Sequence, residues 1–327
     1  MTSSNGTFQK PLISTKVVRA TAWFLGFGVI LYLGSVLFFD RQATLESLST
    51  LGISTLIAGA LLSSTSYLWR FARWLTILRA LEYNIPIFHN FLIYLSGLAL
   101  TATPGKAGET FRSALLLPYG VRVPHSLAAF VTDRATDVLG VVLLGCIASA
   151  LVPHQHLGVW TSAFIGLLTV SILLAKIVLG SRAHLLWAWL NENLHWIPTT
   201  SSRMMLESWA RLWAFPKTIG FTILAMIAYG TQALIFVWFS WSVGVQLPIA
   251  QLVLIFVQAT LFGAASMLPG GLGAMEAALV YQLMDHGVQS GTAISLAIAI
   301  RLVTLWFGMF LGGTAMLAAT KRRLSTS

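Results

Sequence analysis

AQLVLIFVQATLFGAASMLPGGLGAMEAALVYQLM, residues 250–284, is the stretch on which the fold turns. Its apolar run over 250–268 is long enough to enter a bilayer, yet it stops at Pro269-Gly270-Gly271. The apolar helix that follows, about Ala274 to Met284, is too short to cross roughly 30 Å of hydrocarbon at 1.5 Å per residue. Proline and consecutive glycines leave backbone groups without partners, and lipid supplies none, so such a break survives only inside protein or beside a wet cavity. The stretch therefore reads as a re-entrant helical hairpin. An earlier stretch repeats the pattern: residues 88–103 run to Pro104-Gly105, and the apolar segment Phe111 to Leu117 is again too short to return.

Outward from these breaks the chain supplies six full spans, at about 20–39, 51–69, 124–151, 157–179, 217–243 and 291–318. Of the 327 residues 57% are hydrophobic and only 9% charged, against about 25% charged in a soluble domain. The expected fold is an all-α polytopic membrane protein, six full spans plus two re-entrant helical hairpins, forming one transmembrane domain over 1–327. The first run follows Lys10, Lys16 and Arg19 but is longer than a signal-peptide core, so it is expected to be retained. Cys146 is the single cysteine, which excludes an internal disulfide and a cysteine-based metal site.

The net charge of +10 is read through its distribution, and nucleic acid is not an expected partner. With the amino terminus in the cytoplasm, every basic residue falls on that side except Arg41, outside, and Arg134 and Arg301, within spans. This predicts a bacterial cytoplasmic (inner) membrane protein with both termini cytoplasmic. Residues 183–214, with Trp187, Trp196, Trp209 and Trp213 among arginines, read as an interfacial helical stretch.

A weak internal repeat is the more informative feature. Pro86, Pro104, Glu109 and Arg134 correspond in order to Pro248, Pro269, Glu276 and Arg301. Each unit, about 51–151 and about 217–318, runs span, proline-marked turn, apolar arm, Pro-Gly break, short helix opened by glutamate, long span with a buried arginine. In the topology above the units are inverted, an arrangement whose broken helices form substrate sites in transporters.

The breaks also carry the chemistry. Gly105, Gly108, Gly270, Gly271 and Gly273 permit the turns, and the free amides of each short helix favour an anion. Lys106 and Arg112 add formal charge at the first break, although a lysine there can also snorkel to water. Charges inside a bilayer cost roughly 2.5–3.5 kcal/mol each on insertion scales, so Asp133, Arg134, Asp137 and Arg301 call for partners or a function. Either Arg134 pairs with Asp137, Glu109 with Arg112 and Arg301 with Glu276 to tolerate burial, or the arginines face a cavity and hold an anionic headgroup while the carboxylates orient them. Substrate-binding candidates are Lys106, Glu109, Arg112, Arg134, Asp137, Glu276 and Arg301.

Arg70-Phe71-Ala72-Arg73-Trp74, Pro104-x3-Gly108-Glu109-x2-Arg112, Thr132-Asp133-Arg134-x2-Asp137, Pro269-Gly270-Gly271-Leu272-Gly273-x2-Glu276 and the later Arg301 together resemble a flippase-like integral membrane family. It includes the transmembrane region of lysylphosphatidylglycerol synthase. The resemblance implies a helical domain with re-entrant elements that moves a lipid, a modified phospholipid or a polyprenyl-linked one, between leaflets. The synthase's aminoacyltransferase domain is not expected, since the chain ends at Ser327 just after the last span, and lipid aminoacylation is not carried over. The expectation is a non-enzymatic lipid transporter without cofactor or metal. Two other readings stay open: a membrane-embedded enzyme on lipid-linked sugar or phosphate, and a non-catalytic subunit bound to a lipid-modifying enzyme. A homo-oligomer is open as well.

Overall fold

The computed structural model of the protein describes residues 41–101, 107–152 and 199–325, together with Ile165 and Thr169. The expected span at 20–39, that at 157–179 apart from Ile165 and Thr169, the break residues Pro104 and Gly105, Lys106, and residues 183–198 of the interfacial stretch lie outside the described residues. Among the described residues ten α-helices follow in order: α1 Arg41–Ala80, α2 Ile87–Leu98, α3 Ala107–Leu116, α4 Val123–Ala150, α5 Thr199–Leu212, α6 Phe215–Ser242, α7 Ile249–Ala265, α8 Ala274–Asp285, α9 Ser290–Arg301 and α10 Phe307–Ser325. A π-turn over Leu302–Trp306 joins the last two.

Among the described residues three helical stretches are long and apolar enough to cross a bilayer: Ser49–Ala80, Phe215–Ser242 and Ser290–Ala318. The protein is a multi-pass, helical membrane protein. Helix α4 is as long as α6, 28 residues each, but Asp133, Arg134 and Asp137 sit in its middle. The two apolar arms α2 and α7 are shorter. Helix α1 does not end at residue 69, as its apolar run suggested; it continues through Arg70, Arg73 and Arg79 to Ala80, after an interruption at Gly52 (φ 73°). Helical residues past the apolar run keep their hydrogen bonds, and Arg70 and Arg73 find partners inside the fold, while Arg79 is exposed.

The ends of α1 and α6 close in the same way. At the first, Leu81 N–H bonds Ile77 O, Glu82 takes φ 66°, and Tyr83 N–H reaches back to Leu78 O. At the second, Val243 N–H bonds Phe239 O, Gly244 takes φ 83°, and Val245 N–H reaches Ser240 O. This left-handed cap satisfies the last carbonyls of each helix. Pro86 and Pro248 then cap the amino ends of α2 and α7, where a missing N–H costs nothing. Every pair in this comparison is 162 positions apart. The spacing recurs in the core, where Trp74–Tyr94 rings pack at 6.3 Å and Phe236–Phe256 rings at 5.9 Å.

Helices α1 and α6 pack closely and run in opposite directions. A Cβ on Gly59 of α1 would collide with the Phe239 ring, while Arg70, further along α1, bonds Gln232 and covers the ring of Tyr229, further back on α6. The arms cross over: α2 packs on α10 and α7 on α4. At the α2–α10 contact, a Cβ on Gly312 would stand 2.7 Å from Leu95 O, so only glycine allows the helices this approach.

Candidate functional site

The middle of α4 carries the first cluster. Asp133 and Asp137 lie one helical turn apart on the face turned to α1, where Arg73 is fully buried between them. Arg73 Nε donates to Asp133 Oδ1 at 2.9 Å, and its Nη2 donates to Asp137 Oδ1 at 2.7 Å. Arg134 comes from the other side: Nη2 donates to Asp133 Oδ2 at 2.6 Å, and Nη1 lies 3.1 Å from Asp137 Oδ2. Two carboxylates thus hold two guanidiniums. The pairing expected between Arg134 and Asp137 is present, but the inner partner of both acids is Arg73, a residue expected on the cytoplasmic side. The two arginines differ in access, since the Arg73 side chain is 0% exposed and that of Arg134 is 44% exposed.

The second cluster closes the break after α7. Gly270 and Gly271 have φ of 62° and 65°, and Gly273 takes 84° just before α8, conformations that L side chains rarely adopt. Gly271 passes so close to Gly263 that a Cβ there would stand 3.1 Å from Gly263 O. Glu276, at the third position of α8, accepts the Gly273 N–H on Oε2 at 2.8 Å. Its other oxygen accepts Arg301 Nε at 2.8 Å, and Arg301 Nη2 donates to Gly270 O at 2.5 Å. Arg301 therefore clips the broken backbone to the end of α9. The π-turn begins at the next residue, and inside it the Thr304 carbonyl accepts the Tyr67 hydroxyl. Short π-turns recur where a helix is adapted to a site.

A cavity of about 400 Å³ lies between these clusters. Its wall takes Arg134 from α4, Arg301 from α9, Leu98 and Thr101 from the approach to the first break, and Gly270 and Gly271 from the second. Arg70, Tyr67, Tyr229, Gln232, Thr260 and Thr304 add to the polar lining. Arg70 Nη2 donates to Gln232 Oε1 at 3.3 Å and its Cζ stands 4.4 Å from the centre of the Tyr229 ring. Of the residues singled out in the sequence, Arg134, Arg301, Gly270 and Gly271 meet at this cavity, with Asp137 and Glu276 directly behind the arginines. Gly273 shapes the turn. Gly108 and Glu109 fall in the first turn of α3. Arg112 is placed elsewhere: it is buried over the rings of Trp74 and Tyr94, at 4.7 and 4.9 Å, and donates to Tyr94 O, outside the cavity lining.

Arg70, Tyr67, Tyr229 and Gln232 were not among the sequence candidates. A signal for them was available, because Tyr67 and Arg70 fall one helical turn apart and the same 162-residue spacing carries them to Tyr229 and Gln232.

Comparison with known proteins agrees with this architecture. A family model described as the lysylphosphatidylglycerol synthase TM region matches residues 23–312. A UPF0104 membrane protein of Methanothermobacter thermautotrophicus is 24% identical over 274 residues, covering 75% of this chain and 79% of that protein. A UPF0104 membrane protein of Pyrococcus horikoshii is 23% identical over 328 residues, covering 92% of this chain and 97% of its own length.

Proposed function

Because the chain belongs to the family of the lysylphosphatidylglycerol synthase transmembrane region, we propose that it is a lipid flippase-like transporter that carries an anionic lipid headgroup between leaflets. The observation that carries this reading is three guanidiniums, those of Arg70, Arg134 and Arg301, lining one cavity bordered by the approaches to both interrupted helices. A desolvated cavity with fixed donors replaces the hydration shell of a phosphate at little reorganisation cost, while the acyl chains stay in lipid. Arg134 and Arg301 bind the phosphate, and Asp137 and Glu276 hold them in place.

The same proposal includes an inverted repeat of two units, each with a re-entrant hairpin, within six full spans. Its support is the cap geometry repeated 162 residues on and the opposed directions of α1 and α6, the corresponding helices of the two units. Inverted units give two mirror-like openings for one central site, the geometry of alternating access.

The test is leaflet exchange. The purified chain is reconstituted into vesicles carrying a headgroup-labelled fluorescent phospholipid, and an impermeant reductant is added outside. Wild-type vesicles are expected to lose label from both leaflets, whereas Arg134→Ala and Arg301→Ala vesicles lose only the outer pool. Protection of the inner leaflet in wild-type vesicles, for every headgroup tried, removes the transport reading.

A further inference from the structure

The guanidiniums that line the cavity are not all paired. Among the described residues, Arg73 and Arg134 are met by Asp133 and Asp137, and Arg301 is met by Glu276. Arg70 alone of these four guanidiniums makes no ion pair; its Nη2 reaches only an amide oxygen, and its Nε is buried without an acceptor. Of the three guanidiniums that line the cavity, Arg134 and Arg301 thus carry carboxylate partners and Arg70 carries none among the described residues, which leaves one unpaired cation in the cavity wall. Arg112, stacked behind Trp74 and Tyr94, does not line that wall.

The position of Arg70 is as informative as its charge. Arg70 and Gln232 are separated by 162 residues, the spacing that relates the caps of α1 and α6, and they touch. Two equivalent positions on antiparallel helices can meet only where the axis relating the helices passes. Tyr67 and Tyr229, and Arg134 and Arg301, flank the same point as equivalent pairs, the last at a spacing of 167 residues in the sequence. A cation on this axis stays beside the ligand whichever half of the molecule opens.

We propose that Arg70 anchors one singly charged phosphodiester on this axis, so that the cavity selects headgroups of net charge −1. The inference rests on the reading of the cavity as a headgroup site and names its substrate class. A zwitterionic headgroup brings a second cation among the guanidiniums, and a diphosphate leaves negative charge unbalanced; in a medium that cannot solvate it, either residue of charge is costly. A monoanion closes the balance.

The test is native mass spectrometry of the full chain in detergent, titrated with phosphatidylglycerol, phosphatidylcholine and a polyprenyl diphosphate, with glycerophosphoglycerol as the same diester without acyl chains. Wild-type protein is expected to retain phosphatidylglycerol at least about tenfold better than the other two lipids, the scale of one charge-assisted hydrogen bond. Arg70→Gln is expected to lose that preference. Arg70→Gln with Gln232→Arg, which moves the cation across the axis to the equivalent position, is expected to regain it. Equal retention of all three lipids by the wild type overturns the proposal, whatever the variants do. So does full preference in Arg70→Gln, or no recovery in a double variant that unfolds at the same temperature as the wild type. Arg70-dependent retention of the lipid supports a ligand drawn from the bilayer; retention of glycerophosphoglycerol with the lipid excluded overturns that source. Binding and transport fail separately: charge selection without leaflet exchange sinks the transport reading alone, and exchange that survives in Arg70→Gln sinks this one alone.

Discussion

Asp133 is the residue whose loss the structure can least absorb. It is fully buried and meets Arg73, which has no route to water, so Asp133→Asn leaves a guanidinium inside the protein with only one carboxylate. Breaking one partner of a buried pair costs about 3–5 kcal/mol, and the variant is expected to unfold at a clearly lower temperature in detergent. A neutral result there means that water reaches Arg73. Arg301→Lys is a narrower change. Lysine keeps the charge but cannot hold Glu276 and Gly270 O from one planar fork, and a charge-assisted hydrogen bond contributes about 1.5–3 kcal/mol. Amide hydrogen exchange over residues 269–276 is expected to quicken by one to two orders of magnitude, about 10–100-fold, while the rest of the chain is unchanged. These two arginines also show what a sequence can disclose. Arg134 and Arg301 stand out because each interrupts an apolar run, where a charge needs an explanation. Arg73 lies just past the end of such a run, and nothing local separates an arginine in interfacial water from one buried against an acid 60 residues away.

At the scale of elements, the break at Pro269 and the course of α4 and α7 were legible, since proline, glycine and apolar length act locally. Helix α4 at Val123–Ala150 and α7 at Ile249–Ala265 lie within a few residues of the apolar runs at 124–151 and 250–268. The far end of α1 was not, because the hydropathy that marks a span fades at Arg70 while the helix continues on side-chain partners supplied by α4 and α6. Gly308 and Gly312 on α10 show how close packing is encoded: a Cβ on the first would meet Tyr67 Oη at 2.7 Å, and one on the second would meet the backbone of α2. Backbone cannot yield as a side-chain tip can. Gly312→Ala is expected to destabilise the protein by about 1–3 kcal/mol, read as a lowered unfolding temperature. Gly313→Ala, with open space around the added methyl, is the control expected to leave it unmoved.

For the whole molecule, the prediction concerns the relation between its halves. Asn84 and Gln246 occupy equivalent exposed positions after α1 and α6, and because those helices are antiparallel the two turns belong on opposite faces of the membrane. Single cysteines placed there, in a Cys146→Ser background, are expected to differ toward an impermeant maleimide: one reacts in intact cells and the other only after lysis. Reaction of both from the same side ends the inverted-repeat proposal. The amino-acid sequence by itself determined that the protein is helical and membrane-embedded, where the helix ahead of Pro269 breaks, and that some arginines stand in lipid-length segments. Each of those is a property of neighbouring residues, of backbone freedom and apolar length. Only the tertiary structure decided which arginine meets which carboxylate, that Arg112 stacks on aromatic rings while Arg70 enters the cavity, and that Arg70 meets Gln232. Those outcomes depend on which helices pack side by side, and distance across a fold is not written in distance along the chain.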